Sequence, residues 1–155
     1  MQALIPQANP SNLQGDAYAY GAGTDGAIVG RSNHYSGWSR AFRWTPDGTM
    51  IELTDAWVDR WSVARAIGTS GVIVGSAESH DGKAHASRTT GEGLQDIATV
   101  VSRGSSEAFA VSPTGEVVGW ASNAAGGGRA FRWTEAEGMR DLGTIGGTTS
   151  AAHGI

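Results

Sequence analysis

Residues 55 to 61 read DAWVDRW: two carboxylates, two indoles and an arginine within seven positions. Such a stretch suits a sugar, whose apolar ring face stacks on flat aromatic surfaces while its hydroxyls hydrogen-bond to charged groups. Cleaving a glycosidic bond takes more, namely two carboxyl groups about 5 to 9.5 Å apart, one of them protonated to serve the leaving oxygen. Asp55, Asp59, Glu78 and Asp81 form the pool. Asp59 and Glu78 are the first choice for a catalytic pair because neither opens an obvious turn, with Asp55 and Asp81 as alternates. Asp81 stands before Gly82, as Asp25 stands before Gly26 and Asp47 before Gly48, and an Asp-Gly pair is foremost a hairpin turn.

The expected ligand-binding set is His34, Tyr35, Trp38, Trp57, Arg60, Trp61, His80 and His85, drawn from the same group of connections. His34 and His80 follow Gly30 and Gly75 by four and five residues, so two imidazoles could flank a ligand or, with Asp81, a metal. Ligand contact is the reading adopted, and neither a metal nor another cofactor is expected. No serine has a G-x-S-x-G setting, there is no phosphate-cradling glycine loop, and H-E-x-x-H is absent. Nucleophilic serine, nucleotide and zinc-protease chemistry therefore drop out.

Composition narrows the class further. With hydrophobic residues at 39%, charged residues at 17% and 24 glycines, the chain is a folded, turn-rich and weakly charged protein. A net charge of -4 with scattered arginines argues against a nucleic-acid backbone as partner, since phosphate binding needs a basic stripe. No apolar run is long enough to span a membrane, and the first twenty residues lack the basic start and apolar core of a signal peptide. The absence of cysteine excludes a disulfide framework and a thiolate zinc site.

The elements that must hold these residues come from a repeat. RAFRWT occurs twice, at 40–45 and 129–134, and midway HASRTT keeps Ala86, Arg88 and Thr90 in register. GAIVG, GVIVG and GEVVG end at Gly30, Gly75 and Gly119, and Glu52, Asp96 and Asp141 mark a recurring acidic step. Ala19, Ala64, Ala108 and Ala152 add a fourth landmark, so the period is 44 to 45 residues. Each unit reads as four short strands: alternating apolar and polar letters, bounded by Gly, Pro, Asp or Asn, are the pattern of half-buried strands. Within RAFRWT, Phe131 and Trp133 fall on one face and Ala130, Arg132 and Thr134 on the other. The middle copy has Ser87 and Thr89 where its neighbours carry Phe and Trp, which predicts one thin contact between units.

Four antiparallel strands every 44 to 45 residues is blade spacing, so the expected fold is an all-β propeller, with a β-solenoid as runner-up. The expected division is a terminal strand or partial blade over 1–15, repeats over 16–60, 61–104 and 105–148, and the first strand of a further repeat over 149–155. RAFRWT, DLGTIGG at 141–147 and the G-x-V-V-G step together resemble the HAF repeat family of bacterial extracellular proteins, over nearly the whole chain from about residue 17. The resemblance implies a propeller-like fold and an extracellular or periplasmic location, and it carries no catalytic residues across. The family's leading histidine is matched only by His85, beside which the family's phenylalanine is Ser87.

About three and a half units cannot close a ring that ordinarily takes four to eight blades. The expectation is a homodimer in which two chains complete one ring of seven or eight sectors. Its loop face would bind a carbohydrate and hydrolyse a glycosidic bond, or, as the alternative, serve as a non-catalytic extracellular recognition or scaffold module for protein or glycan.

Overall fold

A computed structural model describes residues 13–34, 37–53, 60–90, 93–98, 104–123 and 127–155. Twelve strands account for all the regular structure there: β1 (Leu13–Ala22), β2 (Ile28–His34), β3 (Ser39–Trp44), β4 (Met50–Leu53), β5 (Ser62–Ile67), β6 (Ile73–Glu78), β7 (Ala84–Thr90), β8 (Gly93–Asp96), β9 (Ser106–Val111), β10 (Val117–Ser122), β11 (Gly128–Thr134) and β12 (Gly138–Asp141). They form three antiparallel sheets of four strands, each a simple meander in chain order, so every sheet is one copy of the repeat. The all-β expectation is borne out.

Turn chemistry acts where the Asp-Gly pairs stand. Gly26, Gly48 and Gly82 adopt φ of 80°, 92° and 77°, and Asp25, Asp47 and Asp81 each accept a hydrogen bond from the backbone N–H two residues on. Asp81, an alternate in the catalytic pool, thus has one carboxylate oxygen engaged in turning its own hairpin.

The recurring glycine of each second strand has a different cause. Gly30, Gly75 and Gly119 lie opposite Ala19, Ala64 and Ala108 of the first strand, and at that point the pairing skips one residue. A Cβ on any of the three would collide with a carbonyl oxygen of the first strand, that of Tyr18, Val63 or Glu107. The G-x-V-V-G step is therefore the mark of a β-bulge, where two residues of one strand oppose one of its partner.

Successive sheets stack in the same way. The first strand of each following sheet lies beside the first strand of the sheet before and packs on its second and third strands, β5 on β2 and β3, and β9 on β6 and β7. A buried serine fixes the seat. Ser62 Oγ accepts the Ala41 N–H at 2.9 Å, and Ser106 Oγ accepts the Ala86 N–H at 2.9 Å. Ser150 Oγ does the same for the Ala130 N–H, at 2.9 Å, and Ala152 N–H reaches the Gly119 carbonyl. Residues 149–155, expected as the first strand of a further repeat, form no strand; they touch the third sheet through these bonds of Ser150 and Ala152.

Two hydrophobic clusters join the sheets. Val29 and Ala41 of the first meet Ala64 and Ile73 of the second. Val74, Ala86 and Ile97 from the second unit meet Ala108, Val117, Phe131, Trp133 and Met139 of the third. At Ser87, where a thin contact was expected, only a small recess of about 10 Å³ lies between the first two sheets, bounded by Ser87, Ala41, Leu53 and Ile73.

Candidate functional site

The residues skipped in pairing are Tyr20, Arg65 and Phe109, each lying directly after the recurring alanine. A bulge lets a strand aim one side chain out of the alternating pattern, and here it presents a non-repeating letter in every unit. Arg65 stacks its guanidinium over the Tyr20 ring, 4.8 Å from the centroid, and Phe109 stacks on His153, the corresponding residue of the seated segment, at 4.6 Å.

A cleft of about 430 Å³ opens beside the first of these stacks. Its walls are Tyr20 and Arg31 from the first sheet, Gly37, Trp38 and Ser39 from the β2–β3 connection and the start of β3, Trp61 to Val63 and Arg65 from the start of the second sheet, and Glu107 from the third. Arg31 donates from Nε to the Tyr20 hydroxyl at 3.1 Å and from Nη1 to Ser39 Oγ at 3.2 Å, with its guanidinium over the Tyr18 ring at 4.9 Å. Arg65 donates from Nε to Glu107 Oε1 at 2.6 Å. Trp38, 43% exposed, carries the Arg60 guanidinium over its ring at 5.6 Å. Two indoles and a phenol thus border a groove supplied with guanidinium donors and one carboxylate.

Of the residues expected to bind ligand, Trp38 and Trp61 line this cleft, and Arg60 packs on Trp38. Glu78 is buried, with Arg60 Nη1 at 3.3 Å from its carboxylate, and it is not among the residues that bound the cleft. His34 opens the β2–β3 turn, its N–H bonded to the Trp38 carbonyl, and His80 is exposed in the β6–β7 turn. His85 lies apart from the cleft residues, with Nδ1 2.6 Å from Asp96 and Nε2 3.5 Å from Asp81. Tyr35, Asp55, Trp57 and Asp59 lie outside the described residues, so the Asp59–Glu78 pair has no described geometry.

The recurring acids have a shared task. Glu52, Asp96 and Asp141 pair with Arg40, His85 and Arg129 respectively, at 3.6, 2.6 and 3.8 Å, so each unit ties the start of its third strand to its fourth. The Ala27 N–H and the Arg43 guanidinium hold the Asp25 carboxyl below the ordinary range, against a smaller opposing effect of desolvation, and the Thr45 hydroxyl and Thr49 N–H do the same for Asp47. Among the described residues no cluster of histidines and carboxylates has metal-binding composition and spacing.

Sequence reasoning missed Tyr20, Arg31, Arg65 and Glu107. The signal was present as variation at fixed register: position 20 becomes Arg65, Phe109 and His153 in later copies, and position 31 becomes Ser76 and Trp120.

These features define an all-β repeat protein with an aromatic and guanidinium-lined cleft between its units. In comparisons with known proteins, no family model matches the chain, and no curated protein is similar enough to count as a match.

Proposed function

We propose that this chain is a carbohydrate-recognition module of propeller type, related to the HAF repeat proteins and acting outside the cytoplasm. Each sheet would be one blade, with the first strands and their bulged residues turned to the centre. The uniform stacking of the three sheets and the contact of residues 149–155 with the third support this arrangement. A second copy of the chain would carry the array to a closed ring, and the exposed Leu142 and Ile145 are apolar surface for that contact. Light scattering at micromolar concentration should then give twice the 16.0 kDa chain mass; a monomer would remove the second copy from the proposal.

The observation that carries the sugar reading is the cleft itself. Its size lies within the range of small-ligand sites, and Trp38, Trp61 and Tyr20 offer ring faces beside Arg31, Arg65 and Glu107. Recognition is favoured over hydrolysis because the cleft's described wall holds one carboxylate, Glu107, which is ion-paired to Arg65. A glycan array followed by titration of the retained oligosaccharide tests the proposal. Trp61→Ala should weaken binding about tenfold, the loss of one aromatic stacking contact with its buried area. Retention of no glycan, or unchanged affinity in both Trp38→Ala and Trp61→Ala, would refute it. Turnover of chromogenic glycosides that is lost in Asp59→Asn or Glu78→Gln would restore the hydrolase reading.

A further inference from the structure

We infer that the ligand of this cleft carries a carboxylate, as a uronic acid does, and that Arg31 is the residue that receives it. The inference rests on the carbohydrate reading above and adds the class of sugar.

Charge pairing makes Arg31 unusual. Among the described residues, Arg40, Arg43, Arg60, Arg65, Arg88, Arg129, Arg132 and Arg140 each face an Asp or Glu. Arg31 has only neutral partners, the Tyr20 hydroxyl, Ser39 Oγ and the Tyr18 ring. Of the five N–H donors of a guanidinium, these two hydrogen bonds use one on Nε and one on Nη1. Three are left, both Nη2 protons among them. The ring beneath and the two oxygens at its edge hold the planar fork in one orientation, so its ordering cost is met before a ligand arrives.

The surroundings reinforce the assignment. Arg31 and Arg65 contribute two positive charges to the cleft wall and Glu107 one negative, leaving one positive charge in a molecule of net charge -4. Arg65 is charge-paired with Glu107 at 2.6 Å, so the uncompensated charge resides on Arg31. Tyr20, accepting from Arg31, keeps its own hydroxyl proton for the same ligand. A planar carboxylate matches a guanidinium fork with two parallel hydrogen bonds, which a neutral hydroxyl cannot do. Trp38 and Trp61 on the same cleft supply the stacking surface for the ring that bears the carboxylate. Position 31 is Ser76 and Trp120 in the other units, so the arginine is no requirement of the repeat.

The test is titration calorimetry with oligogalacturonides and oligoglucuronates, each compared with the same oligosaccharide after chemical reduction of its carboxyl groups, and with a sulfated neutral glycan. Wild-type protein should bind at least one uronate about tenfold or more tightly than its reduced form. Arg31→Gln should weaken the acidic ligand by about 10- to 100-fold, the size of one charge-assisted interaction, and leave the reduced form unchanged. Arg31→Lys should fall between, keeping charge without the fork. Equal affinity for acidic and reduced forms, preference for the sulfated glycan, or an Arg31→Gln variant that binds the uronate as wild type does would each overturn the inference. Retention of neutral glycans that is lost in Trp61→Ala, with no preference for acid, would overturn this inference alone. Retention of no glycan would overturn the sugar reading along with it. Should Arg31→Gln fail to fold, wild-type salt dependence decides: affinity for the uronate that falls with added salt while the reduced form's stays constant supports the assignment, and a flat profile for both overturns it.

Discussion

Removing one oxygen atom from Ser106 should expose how the units are held together. Ser106 is fully buried, and its Oγ accepts the N–H of Ala86, itself fully buried on the neighbouring third strand, at 2.9 Å. In Ser106→Ala that N–H loses its acceptor, and the space vacated, one hydroxyl oxygen, is too small for a replacement water. The cost is the desolvation of an unsatisfied buried donor, about 1–3 kcal/mol. For a chain of this length that corresponds to a fall in midpoint of about 2–4 °C for each kcal/mol. Ser62, equally buried and bonded to Ala41 at 2.9 Å, should respond alike. Ser150 makes the same bond from a partly buried position and also donates to the Gly143 carbonyl at 2.6 Å; water can reach both freed groups, so Ser150→Ala should cost less. Urea titrations followed by tryptophan fluorescence would measure all three. Ser106→Ala within a few tenths of a kcal/mol of wild type, or Ser150→Ala as costly as Ser106→Ala, would refute the idea that this serine is the inter-unit lock.

Two further outcomes follow from the same structure. Gly75→Ala places a Cβ against the Val63 carbonyl at the bulge and should cost about 1–3 kcal/mol or more from overpacking, whereas Gly82→Ala, with open space but φ of 77°, should cost about 1–2 kcal/mol of backbone strain; equal unfolding midpoints for the two would contradict the close-approach account. The Asp25 carboxyl is held below its ordinary value of 3.8 by the Ala27 N–H and by Arg43, so its contribution to stability is present above the unfolded value and disappears as pH falls through the folded one. Thermal melts below about pH 4 should therefore show a shallower acid loss in Asp25→Asn than in wild type.

Much of the fold was legible because strands and turns answer to local rules. Period-two alternation sets which residues of β11 face Phe131's side, and Asp-Gly pairs set the hairpins, so the repeat could be parsed without any knowledge of neighbours. The last segment reads as a strand because Ala152 repeats the spacing of Ala108, yet residues 149–155 form no strand. Ser87 and Thr89 stand out from the repeat by their size, and Thr89 uses its hydroxyl to accept the Ile73 N–H where its counterparts are Trp44 and Trp133.

The sequence by itself determined four strands in each of three units and the turns between them, because each depends on hydrogen bonds and side-chain alternation among residues near in the chain. Only the tertiary structure decided which units' side chains meet. Tyr20, Arg31, Arg65 and Glu107 read as ordinary strand letters, and they share a cleft because a bulge turns Tyr20 and Arg65 out of alternation and sheet stacking brings three first strands side by side. That juxtaposition depends on how twisted sheets pack on one another, a long-range outcome that strand periodicity does not encode.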